Sequence, residues 1–182
     1  MPTLFTHPVV PVAARIALGP RRLPVRLLGV AVAFSLLPDA DVLSFSFGLP
    51  YGHPLGHRGF FHSLVFAALA AGVVAVAGRG FGVGRKTSFF LLWAAMASHG
   101  LLDAMTDGGK GIALLSPFTN ERFFLPWRFV PVSPIGVSRF FSERGVHVLA
   151  QELSRLWAPL LVMGLFIGLG RWSGERGRRG GR

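Results

Sequence analysis

Apolar runs separated by short basic segments constrain this chain more than any other feature. Four stand out: Leu23 to Leu37, ending at Pro38; Phe60 to Gly78; Thr87 to about Met105; and Leu156 to Gly170. The second and third are 19 residues each, which as helices rise about 28 Å, close to the thickness of a bilayer's hydrocarbon core. The first and fourth are 15 residues and require local thinning of the bilayer or cover by protein. A weaker stretch, Pro8 to Leu18, is a candidate for a fifth, short or re-entrant helix. The expected fold is all-α, an integral membrane helical bundle with four or five spans.

Composition agrees. Residues of hydrophobic type make up 51% of the 182 and charged ones 15%, where a soluble domain carries about 25% charged. The net charge is +11, but the cations sit between apolar runs and at the C-terminus, with no contiguous basic face for nucleic acid. Cysteine is absent, which excludes disulfides and thiolate sites and leaves any metal to His, carboxylates or backbone oxygens. No basic n-region precedes the first apolar stretch, and Pro8 and Pro11 interrupt it, so no cleaved signal peptide is expected.

Positive charges set the expected orientation. Arg15, Arg21, Arg22 and Arg26 precede the first strong run; Arg79, Arg85 and Lys86 separate the second from the third; Arg171, Arg176, Arg178, Arg179 and Arg182 form the tail. Alternating passes bring all three groups to one side, the cytoplasm. The opposite, periplasmic or exterior side receives Asp39 to Gly59 and the stretch from about Thr106 to Arg155. That stretch holds Pro117, Pro126, Pro131 and Pro134 among apolar residues, with Trp127 and Arg128, and reads as an apolar cap at the interface. Ser138 to Arg155 reads as an amphipathic surface helix. One membrane-embedded domain, 1–170, is expected, followed by a basic, disordered tail, 171–182.

Ionisable residues beside membrane spans are costly, so their positions are informative. Asp39 and Asp41 lie in LPDAD after the first run, His57 and His62 in HRGFFHS at the start of the second, and His99 and Asp103 in SHGLLD late in the third. The orientation drawn from Arg and Lys alone puts all three patches at one face. His99 and Asp103 are four apart, hence on one helix face. Individually, such groups are more often a local hydrogen-bonded pair, a turn or an interfacial anchor; their joint occurrence points to a divalent metal site, with zinc first and manganese or iron as alternatives. Arg58 is a candidate for substrate charge or a headgroup, and Asp41 for a further ligand or a base. His7 joins such a site only if the N-terminus lies on the same side. His53 reads as a loop residue, Asp107 as a support to Asp103, and Glu121, Glu143, His147 and Glu152 as exposed.

At these residues the sequence resembles the YdjM family of inner-membrane proteins, described as metal-dependent hydrolases. The resemblance runs from Thr6 and His7 through LPDAD and HRGFFHS to SHGLLDAMTDGGKGIALLSPF and ERFFLPWR. Phe61 stands where the family often has Thr. The family is distantly similar to zinc-dependent phospholipase C and its related nuclease. The resemblance implies His7, Asp39, His57, His62, His99 and Asp103 as ligands and hydrolysis of a phosphoester. The leading expectation is a lipid or lipid-linked substrate, with Asp41, as sixth ligand or base, and Arg58 as the catalytic groups. A non-catalytic membrane protein with a structural or sensory ion is the alternative. Substrate and oligomeric state are not legible.

Overall fold

The computed structural model describes residues 1–78, 80–133 and 141–180, with side chains through residue 175. Arg79, Pro134, the first residues of the expected surface helix from Ser138, and the side chains of Arg176, Arg178, Arg179 and Arg182 lie outside them.

The fold is all-helical. Helix α1 spans Val9–Leu18, α2 Val25–Leu36, α3 Leu64–Ala77, α4 Arg85–Ala104, α5 Glu143–Glu152 and α6 Ala158–Gly180. A 3-10 segment, Leu37–Phe47, continues α2; a short one, Phe60–His62, precedes α3; and a π-turn, Leu153–Trp157, joins α5 to α6. Among the described residues β pairing is limited to two isolated bridges, Thr106 with Val130 and Ile112 with Phe123. The sequence accounts for the breaks. Pro38 cannot supply an N–H to α2, so the helix tightens there into the 3-10 segment. The Ser63 hydroxyl accepts from the Phe66 N–H at 3.0 Å and starts α3.

Helix α4 packs between α2 and α3, while α1 pairs with α6. The first interface is built from Leu27 and Ala31 of α2, Ala67 and Ala71 of α3, and Leu92, Ala95 and Met96 of α4. So many alanines let backbones approach closely, the packing that works where lipid removes the hydrophobic drive for association. The α1–α6 contact is closer still: a Cβ on Gly164 would lie 2.7 Å from the Ala13 carbonyl oxygen, and one on Gly168 2.8 Å from that of Ile16. Arg171 donates to the carbonyls of Ala17 and Leu18 and so caps the end of α1.

Among the described residues two stretches are long and apolar enough to cross a membrane, Val25–Phe47 and Glu143–Glu175; Val9–Leu18 and Leu64–Ala77 are apolar but shorter. Of the five apolar runs in the sequence, then, two lie in helical stretches of full spanning length by this measure. Helix α6 continues through Gly180, into the segment whose composition marks a disordered tail.

Helices α1 to α4 share one polarity of ends. His7 precedes α1, Asp39 and Asp41 follow α2, His62 precedes α3, and His99 and Asp103 end α4. The opposite ends carry Arg21, Arg26, Arg85, Lys86 and Arg171. Segment 106–133 closes over the first end: the Ala113 N–H donates to the Arg58 carbonyl (3.1 Å), Leu64 to Leu114 (3.0 Å) and Leu125 to Ala104 (2.8 Å). Val130 packs against Leu102 and Leu156 beneath it, while Phe118 and Trp127 stay exposed.

Candidate metal centre

Three elements converge under this cap. The last two turns of α4 present His99 and Asp103, the 3-10 segment presents Asp39, and the turn before α3 presents His62. Their ligand atoms all lie within 4.8 Å of one another, and all four residues are buried. Gly100 makes the approach possible, because a Cβ there would stand 2.8 Å from the His62 carbonyl oxygen.

The two imidazoles are aimed by their far nitrogens. His99 Nδ1 is 2.8 Å from the Ser35 carbonyl oxygen, which can only accept, so Nδ1 carries the proton. His62 Nδ1 is 3.0 Å from Asp41 Oδ2, though with poor hydrogen-bond alignment. Nε2 of a neutral His99 therefore holds a lone pair, and so does that of His62 when its proton sits on Nδ1, toward Asp41. The two Nε2 atoms face each other at 3.1 Å. Asp39 Oδ1 lies 3.3 Å from His99 Nε2 and 3.8 Å from His62 Nε2, and Asp103 Oδ2 lies 3.8 Å from His62 Nε2.

The two Nε2 atoms and the Asp39 carboxylate repel one another unless a proton or a metal cation sits among them. Both oxygens of Asp39, both of Asp103 and both ring nitrogens of His7 are buried without a hydrogen-bond partner, a state that costs about 1–3 kcal/mol per group, more for charged ones. Spacing agrees with the donor chemistry. Ligands at 2.0–2.1 Å in a tetrahedral set stand about 3.3 Å apart, and four of the six separations run from 3.1 to 3.8 Å, with all within 4.8 Å. Two imidazoles and two carboxylates fit a divalent transition ion.

His7 is at the site. Its ring stacks on that of His99 with centroids 3.7 Å apart, and Nε2 is 3.8 Å from Asp103 Oδ1. Burial and the neighbouring His99 push its pKa down to about 3, leaving the ring neutral. Arg58 is buried at φ +63°, an unusual conformation for a non-glycine residue. Its Nε stands 3.0 Å from Asp103 Oδ2, Nη1 donates to the Gly108 carbonyl at 3.0 Å, and Nη2 donates to Thr106 Oγ1 at 3.3 Å.

Asp41 and His57 form an outer layer. Asp41 Oδ1 is 2.6 Å from His57 Nδ1, and its Oδ2 also accepts from the Arg58 N–H at 3.0 Å. Asp41, His57 and His62 make a second group able to hold an ion. The two groups share His62 through opposite ring nitrogens, and a neutral imidazole offers one lone pair. Arg122 fastens the loop that carries His57, donating to the carbonyls of Tyr51 and His57 at 3.0 Å each. Burial raises the Tyr51 phenol and lowers the Arg122 guanidinium relative to their ordinary values.

A family model described as YdjM inner membrane protein matches residues 1–177. The chain belongs to the YdjM family. Inner membrane protein YbcI of Escherichia coli (strain K12) is 44% identical over 167 residues, covering 91% of this chain and 96% of that protein. No solved structure matches the chain.

Within this YdjM chain several residues matter that their local sequence does not single out. Glu152, expected exposed, is fully buried: it accepts from the Thr3 N–H and the Thr6 hydroxyl, both at 2.6 Å, and from the Thr3 hydroxyl. It anchors the segment that carries His7. A buried carboxylate in an amphipathic helix leaves no signal that distinguishes it from a solvated one. The Ser35 carbonyl and Gly100 are equally silent, although Gly100 directly follows a candidate ligand. Asp107, expected beside Asp103, instead accepts from the Val132 N–H at 2.8 Å and is exposed. His53 accepts from the Leu55 N–H at 3.1 Å within its own turn.

Proposed function

We propose that this YdjM-family protein is a membrane-bound, metal-dependent hydrolase acting on a phosphoester of a lipid or lipid-linked substrate. The observation that carries the metal is the pair of Nε2 atoms facing each other at 3.1 Å beside two carboxylates without hydrogen bonds. Asp39, His62, His99 and Asp103 hold the ion, with His7 as a fifth candidate. When bound, a divalent ion, zinc foremost, supplies Lewis acidity for water activation and for charge on a phosphoryl oxygen.

The surrounding residues orient. The Ser35 carbonyl fixes the tautomer of His99, and Asp41 stands beside Nδ1 of His62; such outer partners raise ligand basicity. Asp41 is also the nearest candidate base, since its far oxygen is shared with His57. Arg58 holds Asp103 in place and is the cation available to an anionic substrate. The 106–133 cap excludes water above them. Burial of all four ligands favours a second reading, a closed structural or sensory ion, because a catalytic ion keeps an open position.

Metal content per chain of detergent-purified protein, measured by plasma mass spectrometry, tests the site. About one equivalent of a transition metal, lost in a His99→Ala/Asp103→Ala double variant, supports it; retention of the ion in that variant overturns it. Release of phosphate from a panel of phosphoesters by the loaded protein separates the hydrolase from the structural ion. The gathering of cations at the end away from the site favours a periplasmic or exterior site and a cytoplasmic C-terminus. Leu55→Cys and Gly80→Cys should then label from opposite sides; labelling from one side sinks that topology.

A further inference from the structure

Beside the centre lies a cavity of about 390 Å³ between the Leu37–Phe47 segment, the loop to Leu55 and the start of α3. Leu37, Leu43, Phe47, Leu55, Phe61 and Phe66 line it, and at its inner end is Asp41, whose carboxylate contacts both His57 and His62. Leu43 and Phe47 form an exposed rim, Phe47 being 82% accessible. On α3 the lining residue Phe66 is followed at helical spacing by the exposed apolar residues Leu69, Val73 and Val76. A groove open to the lipid-facing surface thus ends against the layer that orients the metal ligands.

We propose that this groove holds one hydrocarbon chain of an anionic phospholipid, presenting its phosphate to the His/Asp centre. As an assignment of substrate it rests on the hydrolase reading above. Chemistry selects the occupant. Ser44 and Asp41 are the polar residues in the lining, so a polypeptide would bury N–H and C=O groups without partners, whereas a hydrocarbon chain leaves none unsatisfied. Cations stand behind His57, the ring that Asp41 of the lining contacts. Lys110 Nζ stands 5.7 Å and the Arg122 guanidinium 5.6 Å from the centre of the Tyr51 ring. That ring meets His57 edge-on with centroids 5.2 Å apart, and Arg58 lies just beyond. An apolar slot with cations beyond the His57 and Tyr51 rings at its polar end suits an amphiphile with negative charge at one end. Phe61 and Phe66, 5.1 Å apart between ring centroids, form the wall on the α3 side.

The test uses full-length protein in vesicles of phosphatidylethanolamine and phosphatidylglycerol, doped with phosphatidylglycerol that carries a diazirine in one acyl chain. After irradiation, adducts are mapped by mass spectrometry. The expected result is labelling at Leu43, Phe47 and Leu55 several-fold above that at Phe166 and Leu169 on the outer face of α6, competed by unlabelled phosphatidylglycerol. Leu55→Trp, which fills the groove, should reduce groove labelling several-fold without changing metal content. Groove labelling no higher than on α6, or cross-links there to a second copy of the chain, overturns the proposal. Labelling reports binding and not turnover. Groove labelling without phosphate release from any lipid would therefore remove the hydrolase reading and keep the groove; turnover of a phosphoester without groove labelling would remove the groove alone.

Discussion

Glu152 accepts a hydrogen bond from the Thr6 hydroxyl at 2.6 Å, joining residues 146 positions apart in the sequence, and Trp157 Nε1 donates to the same hydroxyl at 2.7 Å. The end of α5 thereby holds the segment that brings His7 onto His99. Glu152→Ala leaves the Thr3 N–H and two hydroxyls without their acceptor, at an expected cost of about 3 kcal/mol. Thermal unfolding in detergent should show a clear drop in Tm, and chelator competition a weaker ion. Glu152→Gln, which retains one acceptor oxygen, should lose less of both. A Tm unchanged in the alanine variant would show that the N-terminal segment is held by other contacts.

Gly100→Ala opposes local and tertiary preference. Alanine favours the helix by about 1 kcal/mol, yet its Cβ would meet the His62 carbonyl oxygen at 2.8 Å. We expect net destabilisation and reduced metal occupancy, since His62 must retreat from His99. A more stable variant with full occupancy would mean that the turn before α3 yields freely.

Asp39 and Asp41, two residues apart, should behave differently. Asp39→Ala removes an oxygen facing both Nε2 atoms and should abolish binding. Asp41→Ala removes a partner of His62 Nδ1 and should weaken binding about 10–100-fold, the usual effect of losing a support behind a ligand. Chelator competition measures both. Equal and complete loss would make Asp41 a ligand.

His57→Ala distinguishes the two candidate groups. An ion held by Asp39, His62, His99 and Asp103 should survive this change with near-normal stoichiometry. Loss of the ion would point instead to the group of Asp41, His57 and His62.

Gly164→Leu tests the pairing of the first and last helices. The added Cβ would lie 2.7 Å from the Ala13 carbonyl oxygen, so α6 must separate from α1, and a lower Tm is expected. Full stability would show that α6 is held by lipid and by Arg171 more than by this contact.

Much of this protein is legible in one dimension. Apolar runs mark the helices because hydrophobic composition is local, and Pro38 marks the end of α2 because the missing N–H is local too. The four-residue spacing of His99 and Asp103 places them on one face by helix geometry alone, and the Arg and Lys distribution gathers the His/Asp patches at one end. What the sequence could not decide is which atoms meet. Asp39 and Asp41 look equivalent in LPDAD, but the 3-10 segment turns one toward the paired Nε2 atoms and the other toward the far nitrogens of His57 and His62. Whether His7 reaches the centre depends on Glu152, and Glu152 reads as solvated until α5 packs over the N-terminus. These are contacts between distant parts of the chain, set by backbone approach at Gly100 and Gly164 and by packing of α1 on α6. Local periodicity determines faces and lengths; only the closed bundle determines which buried polar groups find partners and which remain for an ion.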